Sequence, residues 1–198
     1  IQMVKNRSET TQTSRKLLIV GDSMSGKRTL LLSFTTNQFI TDDTRHIIDT
    51  PVVPIHIYMA LFDIIAAEEH DHLRSLYYNG TNIVLICFSV DNPASLTNVI
   101  KKWTPEIRVH CNQCPVILVA CKIDLRNDPQ RIAELETQGE TLITSEMGRR
   151  TAAKIRADAY MECSAKTNDG VQDLFNRAAH LSVKDRSHRT VKCQCVLQ

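Results

Sequence analysis

The segment GDSMSGKR, residues 21–28, has the glycine and lysine spacing of a loop that holds phosphate groups. Gly21 and Gly26 permit backbone conformations that other residues resist, so the loop can wrap an anion with its N–H groups. Lys27 can reach the terminal phosphates of a nucleotide. The pattern requires Ser or Thr at the next position to ligate magnesium, but the chain has Arg28 there. The segment therefore predicts a phosphate site with an altered metal position.

The residue types leave three roles open for Arg28. Its guanidinium can pair with two phosphate oxygens and partly replace magnesium. It can instead fill the metal position and weaken nucleotide binding. It can also point into solvent and contribute nothing.

Two further motifs follow apolar runs: CKID, residues 121–124, and SAK, residues 164–166. Asp124 can accept hydrogen bonds from the ring N–H and the exocyclic amine of guanine, a donor pattern that adenine does not present. Lys122 and Lys166 can lay their aliphatic stems over the base. Each motif is weak alone, but together with the loop they predict a guanine-nucleotide site. The residues assigned to it are Gly21, Asp22, Ser23, Met24, Ser25, Gly26, Lys27, Arg28, Thr29, Cys121, Lys122, Asp124, Leu125, Ser164, Ala165 and Lys166.

Apolar runs alternate with helical patterns along the chain, which predicts a parallel sheet with helices on both faces. Ligands bind at the carboxyl ends of the strands in such sheets, where the three motifs fall. The predicted strands are 16–20, 55–63, 82–90, 115–124 and 159–166, the last two including polar ends. One predicted helix begins at residue 29, and four others span residues 94–110, 125–139, 145–157 and 169–181. Residues 37–54 are predicted to be irregular, and 64–80 to be a loop leading into a short helix.

Composition limits the class of protein. A chain of 198 residues is one domain's worth, and a net charge of +2 does not by itself suggest nucleic-acid binding. The polar beginning shows no secretory signal, and seven cysteines then suggest reduced, cytosolic thiols. Cys111 and Cys114 have the spacing of a metal pair, but no second pair completes a zinc site, so plain loop thiols are favoured. The spacing of His46, His56, His70 and His72 likewise favours solvated histidines over a zinc site.

The segments LICFSVDNPASL, KKWTPEI, CKIDLRND and YMECSAKTNDGV resemble a Rho-family small GTPase of the Ras-like superfamily. The resemblance covers roughly residues 15–198. It implies an α/β Ras-like P-loop NTPase fold, with a six-stranded, mostly parallel sheet and helices on both faces. The implied division is a flexible arm at 1–15, a G domain at 16–181 with a Rho-type insert helix at about 125–139, and a basic tail at 182–198.

The resemblance also implies a function. A Rho-type protein binds GTP or GDP and signals through effector and regulatory proteins to the actin cytoskeleton. Those partners would contact residues about 37–80, and no nucleic-acid partner is expected. Trp103 is predicted to be a packing residue. Leu73 and Leu76 form either an effector-binding patch or the core-facing side of their helix, and the core-facing interpretation is favoured.

The chain departs from the family where the chemistry should lie. Ser23 replaces a glycine beside the γ-phosphate, and the family's D-T-A-G-Q-E element appears as DIIAAE, residues 63–68. Asp63, which would reach magnesium through water, remains. Ala66 replaces the glycine that senses the γ-phosphate, and Ala67 replaces the glutamine that orients the attacking water. We therefore assign no catalytic residue, expect weak or absent GTP hydrolysis, and regard magnesium as doubtful.

The segment before it, which is the first switch segment of the family, departs further. Lys27 and Asp63 are separated by several residues fewer than in the family. Thr44 and Thr50 are candidates for its metal-binding threonine, and the strand bordering it is expected to be shortened or lost. Three hypotheses stay open: a signalling protein with impaired hydrolysis, a pseudo-GTPase scaffold that holds nucleotide permanently or not at all, and an ordinary GTPase in which Thr29 or Thr50 supplies the missing oxygen.

The last four residues, CVLQ, match a prenylation box whose terminal Gln favours a farnesyl group on Cys195. Cys193 can take a palmitoyl group, and one lipid alone binds membranes only marginally. Basic companions precede them at Lys184, Arg186, Arg189 and Lys192. The tail predicts anchoring at the cytoplasmic face of membranes, the plasma membrane in particular, with a cytosolic pool.

Overall fold

A computed structural model of the chain describes residues 14–40, 52–55, 57–63 and 76–183. Within these residues six strands form one sheet in the order β2-β3-β1-β4-β5-β6. The strands are β1 (Ser14–Gly21), β2 (Val52–Ile55), β3 (Ile57–Asp63), β4 (Ile83–Ser89), β5 (Val116–Cys121) and β6 (Ala159–Cys163). All neighbouring pairs are parallel except β2 and β3. The predicted six-stranded, mostly parallel sheet is confirmed.

The central strands are buried on both faces, which explains why their sequences are almost continuously apolar. Every residue of β4 and β5 is buried. Alternate residues of β1 contribute to two separate cores, with Leu17 and Ile19 in one and Leu18 and Val20 in the other. The sheet is therefore the middle layer of three.

Helices cover each face. They are α1 (Lys27–Thr36), α2 (Pro93–Asn98), α3 (Thr104–His110), α4 (Pro129–Thr137), α5 (Ser145–Ile155) and α6 (Val171–Val183). On one face α1 packs against α6, and the rings of Phe34 and Phe175 stack with centroids 3.8 Å apart. The other core includes Trp103 and Ile107 beside Ile155. None of the helices in the described ranges is long and apolar enough to cross a membrane.

Local signals fix where the helices begin. The side chain of Asn92 accepts a hydrogen bond from the Ser95 N–H at the start of α2. Asp128 caps α4 in the same way, and Pro129 follows it at the first helical position. The predicted insert helix at 125–139 is therefore two elements, a 3₁₀ helix (Ile123–Asn127) followed by α4.

The predicted helix at 94–110 is interrupted. A π-helical turn (Val99–Trp103) joins α2 to α3. Such turns insert a residue into an otherwise regular helix and are frequent at functional sites. Here the turn carries Trp103, which is 1% exposed.

Several predicted boundaries are wrong. The predicted strand at 55–63 is β3 together with the last residue of β2, and residues 52–54, predicted to be irregular, form the rest of β2, which pairs antiparallel with β3. The bordering strand, expected to be shortened or lost, is present with four residues. Pro54 argues against a strand in sequence, but β2 lies at the sheet edge, where proline is tolerated. β1 begins at Ser14, inside the predicted arm, and α6 reaches Val183, inside the predicted tail. Leu76 is 71% exposed, so its prediction as a core residue is wrong.

Candidate nucleotide-binding site

The phosphate loop, residues 21–28, connects the carboxyl end of β1 to the beginning of α1. Gly21 has φ 144°, and a Cβ added there would overlap the carbonyl oxygen of Cys87 on β4. Gly26 has φ 93° and is the N-cap residue of α1. Both conformations favour glycine, so the two glycines of the motif are required by the geometry of the turn.

Lys27 and Ser25 supply polar atoms inside this loop. Lys27 is buried, and its ammonium donates hydrogen bonds to the carbonyl oxygens of Gly21 (2.8 Å) and Asp22 (2.7 Å). Ser25 is 1% exposed, and its hydroxyl has no hydrogen-bond partner among the described residues. Buried hydroxyls normally have a partner, so the loop fits an anionic group that would complete the site.

Asp22 ties the loop to the π-helical turn. One carboxylate oxygen accepts a hydrogen bond from the indole N–H of Trp103 at 2.7 Å, and the other accepts one from the Asn98 amide at 2.7 Å. Sequence reasoning missed this role of Trp103, because the two partners of Asp22 lie far away in the chain. The prediction that Trp103 packs in the core is confirmed, since it is fully buried in one of the two cores.

The CKID motif begins at the end of β5. Lys122 has φ 62° and starts the 3₁₀ helix, and its stem lies close to Gly26, where an added Cβ would be 3.9 Å from two of its carbons. Asp124 accepts a hydrogen bond from the hydroxyl of Ser164 at 2.6 Å. The two predicted base motifs, which are forty residues apart in sequence, therefore meet directly.

A cavity of about 340 Å³ joins the phosphate loop to both base motifs. Predicted residues that line it are Gly26, Thr29, Cys121, Lys122, Asp124, Leu125, Ala165 and Lys166. Four lining residues were not predicted: Leu30, Phe39, Ile40 and Cys163. Phe39 and Ile40 are an apolar pair in the polar stretch TTNQFITDD, and this interruption is the signal that could have identified them. The remaining predicted loop residues build the turn rather than the cavity wall.

A charged network supports the base side of the cavity. Arg126, in the 3₁₀ helix, binds both carboxylate oxygens of Glu162 on β6, at 2.7 and 2.9 Å. Burial raises the pKa of Glu162, but hydrogen bonds from Arg126, Tyr160 and Ser145 outweigh it and lower the pKa to about 2. This ion pair fixes the loop that carries Asp124 against the strand that precedes Ser164.

Asp91 forms a second anchor behind the cavity. Its carboxylate accepts a hydrogen bond from Ser89 and forms ion pairs with Arg131 (3.1 Å) and Lys122 (3.6 Å). Burial raises the pKa of Asp91, but the Ser89 hydrogen bond and the two positive charges hold it below its ordinary value. The contact restrains the ammonium end of the Lys122 side chain and links it to helix α4.

The described residues do not by themselves supply a set of side chains that would hold magnesium. They contain no group of three or more His, Cys, Asp or Glu side chains that could hold a metal. Arg28 stands at the position that needs a hydroxyl. Asp63 ends β3, but its side chain is outside the described part of the structure. Cys111 and Cys114 hydrogen-bond to backbone carbonyls in the loop before β5.

Several sequence predictions lie outside the described residues. These are the altered switch positions Ala66 and Ala67, the threonines Thr44 and Thr50, Leu73, the four histidines at 46, 56, 70 and 72, residues 1–13 of the arm, and the tail with Cys193 and Cys195.

The chain matches a known domain family and is similar to known proteins over most of its own length. Residues 16–184 match the Ras family. The GTP-binding protein rho5 of Schizosaccharomyces pombe is 45% identical over 179 residues, covering 88% of this chain and 90% of that protein. The GTP-binding protein rho1 of the same yeast is 43% identical over 199 residues, covering 94% and 98%. The GTP-binding protein RHO1 of Saccharomyces cerevisiae is 43% identical over 185 residues, covering 91% and 88%.

The chain belongs to the Ras family, as a Rho-type small GTPase. The predicted family and fold class are therefore confirmed. Arg28 and Ser23 stand at the two positions where this phosphate loop departs from the pattern described above.

Proposed function

We propose that this Rho-type chain binds GTP or GDP and signals through effector proteins, with impaired hydrolysis of GTP. The observation that carries the proposal is the single cavity lined by Gly26, Asp124 and Lys166, which joins the phosphate loop to both base motifs. Its relatives rho5, rho1 and RHO1 are GTP-binding proteins, which supports the same assignment.

Different residues around the cavity would bind the phosphates, the edge of the base and the faces of the base. Loop N–H groups at the start of α1 and the Lys27 ammonium would hold the phosphates, where the helix dipole also favours an anion. Asp124 would accept hydrogen bonds from guanine, oriented by its hydrogen bond from Ser164. The stems of Lys122 and Lys166 would cover the faces of the base.

Weak hydrolysis follows from the residues that are replaced. Ala67 cannot orient a water molecule, and Ala66 and Ser23 alter the surroundings of the γ-phosphate. Arg28 removes a hydroxyl ligand from the position where the family holds magnesium. We therefore expect the chain to hydrolyse bound GTP slowly while its nucleotide can still exchange.

The alternative is a pseudo-GTPase scaffold that holds nucleotide constitutively or not at all. Arg28 favours it, because a guanidinium in the metal position can replace the cation or exclude the phosphates. In that case the function would lie in protein contacts. Leu76 and Tyr77 are exposed apolar side chains within residues 37–80, the segment proposed to bind effectors and regulators.

One experiment separates these functions. The purified chain is denatured before and after treatment with a chelator, and released nucleotide is identified by chromatography. Exchangeable GTP or GDP with little turnover supports the signalling proposal, whereas a folded but empty chain, or one whose nucleotide never exchanges, supports the scaffold. Intrinsic hydrolysis at a rate ordinary for the family would contradict both and point to Thr29 or Thr50 as a substitute ligand.

Asp124→Ala tests the assignment of the base site. We expect this variant to lose affinity for GDP by roughly tenfold or more, because each lost hydrogen bond to a buried partner costs about 1–3 kcal/mol. Asp173→Ala, at an exposed carboxylate on α6, is the matched control and should bind as the parent does. Equal affinity of the two variants would reject Asp124 as the guanine-binding residue.

The lipid-anchored location at the cytoplasmic face of membranes, and signalling to the actin cytoskeleton, belong to the same proposal. They rest on the CVLQ ending and on membership of the Rho branch.

A further inference from the structure

Two cysteines lie side by side in the wall of the cavity. Cys121 is the last residue of β5, Cys163 is the last residue of β6, and the two are register partners in this parallel pair. Both belong to the same core on the same face of the sheet, and both line the cavity. Their thiols are hydrogen-bond partners. The family comparison assigns no role to this pair.

The surroundings make the two sulfurs chemically unequal. Hydrogen bonds from the thiols of Cys163 and Cys87 lower the pKa of Cys121, and the positive charges of Lys27 and Lys122 add to this against the effect of burial. The pKa of Cys163 is raised, because its proton is held in the hydrogen bond to Cys121 and because it is buried. Cys121 is therefore the more readily ionised sulfur of the pair, because both lysine charges act on it, and Cys163 keeps its proton.

We propose that Cys121 and Cys163 form an oxidisable dithiol, which hydrogen peroxide converts into a disulfide in the wall of the nucleotide cavity. Peroxide is small enough to enter a cavity of about 340 Å³. Neighbouring strands lie about 4.8 Å apart, and disulfides span Cα separations of about 4.4–6.8 Å, so register partners can be joined with little movement.

The reaction balances in two steps. The Cys121 thiolate attacks one oxygen of the peroxide, the O–O bond breaks, and Cys121 becomes a sulfenic acid. The departing hydroxide takes up the proton that Cys121 released on ionising and forms the first water. The sulfur of Cys163 then attacks the sulfur of Cys121, the S–O bond breaks, and the Cys163 proton leaves with the hydroxyl as water. Two thiols are oxidised, and one peroxide is reduced to two waters.

The position of the pair connects it to nucleotide binding, and this part of the inference rests on the proposed function. Cys121 immediately precedes Lys122, and Cys163 immediately precedes Ser164, which hydrogen-bonds to Asp124. A disulfide would therefore join the two base motifs at their origins. A bound nucleotide would fill the cavity and slow the entry of peroxide.

The chain contains its own control pair. Cys111 and Cys114 are near neighbours in the loop before β5, and their thiols hydrogen-bond to the carbonyls of Tyr78 and Thr81. A hydrogen bond with Cys114 and burial raise the pKa of Cys111, so it is a poor nucleophile. This pair is outside the cavity, and we expect its oxidation to be slower and independent of nucleotide.

The experiment treats the full-length chain with hydrogen peroxide, blocks the remaining thiols with iodoacetamide, and maps the cross-links by mass spectrometry. Trypsin leaves Cys111, Cys114 and Cys121 in one peptide, residues 109–122, and Cys163 in another, residues 157–166. Fragment spectra must therefore assign the sulfur. We expect a link between the two peptides through Cys121, reversed by dithiothreitol. Oxidation of Cys121 without a link to Cys163, or a link only between Cys111 and Cys114, would overturn the proposal.

Two variants, each checked for folding, distinguish loss of the disulfide from loss of the fold. In Cys163→Ser, Cys121 should stop at the sulfenic acid, which dimedone captures, and no link should form. Cys114→Ser, in the control pair outside the cavity, should still form the link. Circular dichroism checks that each variant is folded. A link that is lost equally in both variants, with both folded, would contradict the pairing.

Adding GDP distinguishes this inference from the proposed function. If both are right, GDP slows the formation of the Cys121–Cys163 link several-fold and leaves alkylation of Cys111 and Cys114 unchanged. A link that forms equally fast with GDP supports the dithiol and counts against nucleotide binding in this cavity. GDP binding, measured by calorimetry, without any link under peroxide supports the proposed function and overturns the dithiol.

Discussion

Asp22 connects the phosphate loop to the π-helical turn. Its carboxylate accepts hydrogen bonds from both Trp103 and Asn98, and its carbonyl accepts another from Lys27. A mobile phosphate loop would bind nucleotide more weakly, because the free energy needed to order its N–H groups is subtracted from the free energy of binding. Trp103 is therefore a positioning residue for the loop, without being placed to touch the nucleotide.

Trp103→Phe tests this positioning role. Phenylalanine keeps most of the buried ring but lacks the N–H, so Asp22 loses one partner. We expect the free energy of unfolding to fall by about 1–3 kcal/mol and a fluorescent GDP analogue to dissociate several-fold faster. Thr97→Ala, at an exposed site on α2, is the control. If the variant is less stable but releases the GDP analogue at the rate of the parent, Trp103 only packs in the core and does not position the loop.

Arg28 is the residue that decides how the site depends on metal. Arg28→Thr returns a hydroxyl to the position that normally ligates magnesium. We expect the variant to hold GDP more tightly with magnesium than with a chelator, whereas the parent should show little difference. The measurement is the dissociation rate of a fluorescent GDP analogue under both conditions. If the variant also ignores magnesium, the missing switch ligands, rather than Arg28, explain the loss.

At the scale of elements, the base site depends on the contact between the 3₁₀ helix and β6. The Arg126–Glu162 pair makes this contact, with both side chains largely shielded from solvent. The folded-state pKa of Glu162 is about 2, below its ordinary value of 4.5. Its contribution to stability is therefore complete above about pH 4.5 and is lost as the pH falls towards 2.

Glu162→Gln tests this contact. The variant should be less stable than the parent by about 1–3 kcal/mol at pH 7, and the difference should shrink as the pH falls from 4.5 towards 2. Urea unfolding at a series of pH values measures it. Glu146→Gln, in a solvent-exposed pair with Arg150, should change stability little at any pH. A difference between parent and Glu162→Gln that is independent of pH would contradict the assigned pKa.

Elements with strong local signals could be predicted from the sequence. The runs that form β4 and β5 are apolar throughout because both of their faces are buried, and Asn92 and Asp128 mark helix beginnings. β2 was missed because its proline is acceptable only at a sheet edge, which sequence cannot reveal. The π-helical turn gives no periodic signal, since it inserts a single residue into a regular helix.

In the candidate site, the residues that belong to motifs could be predicted, whereas residues outside the motifs could not. The phosphate loop and both base motifs have recognisable patterns, and the fold brings them to one cavity. Phe39 and Cys163 were missed because neither belongs to a motif that carries chemistry by itself. The Asp22–Trp103 bond was missed because it joins residues eighty-one positions apart, a pairing that only the fold specifies.

At the scale of the whole molecule, the cavity and the proposed lipid anchor are separate. The cavity lies at the carboxyl ends of the parallel strands, whereas α6 ends at Val183 and leaves residues 184–198 to follow it. Fifteen residues span at most about 50 Å when extended, so a lipid near the end of this segment could reach a membrane without the domain touching it. Loss of the anchor should therefore leave nucleotide binding intact.

Cys195→Ser tests the anchor in cells that carry out prenylation. We expect the parent to sediment largely with membranes and the variant to move into the soluble fraction, because a chain without its lipid has only basic side chains to hold it there. Cys193→Ser should have a smaller effect, as the second lipid alone is removed. Cys114→Ser, in the loop before β5, is the matched control and should fractionate as the parent does. Each variant should retain GDP as the parent does, because the substitutions leave the cavity untouched, and an unchanged membrane fraction in Cys195→Ser would reject the lipid anchor.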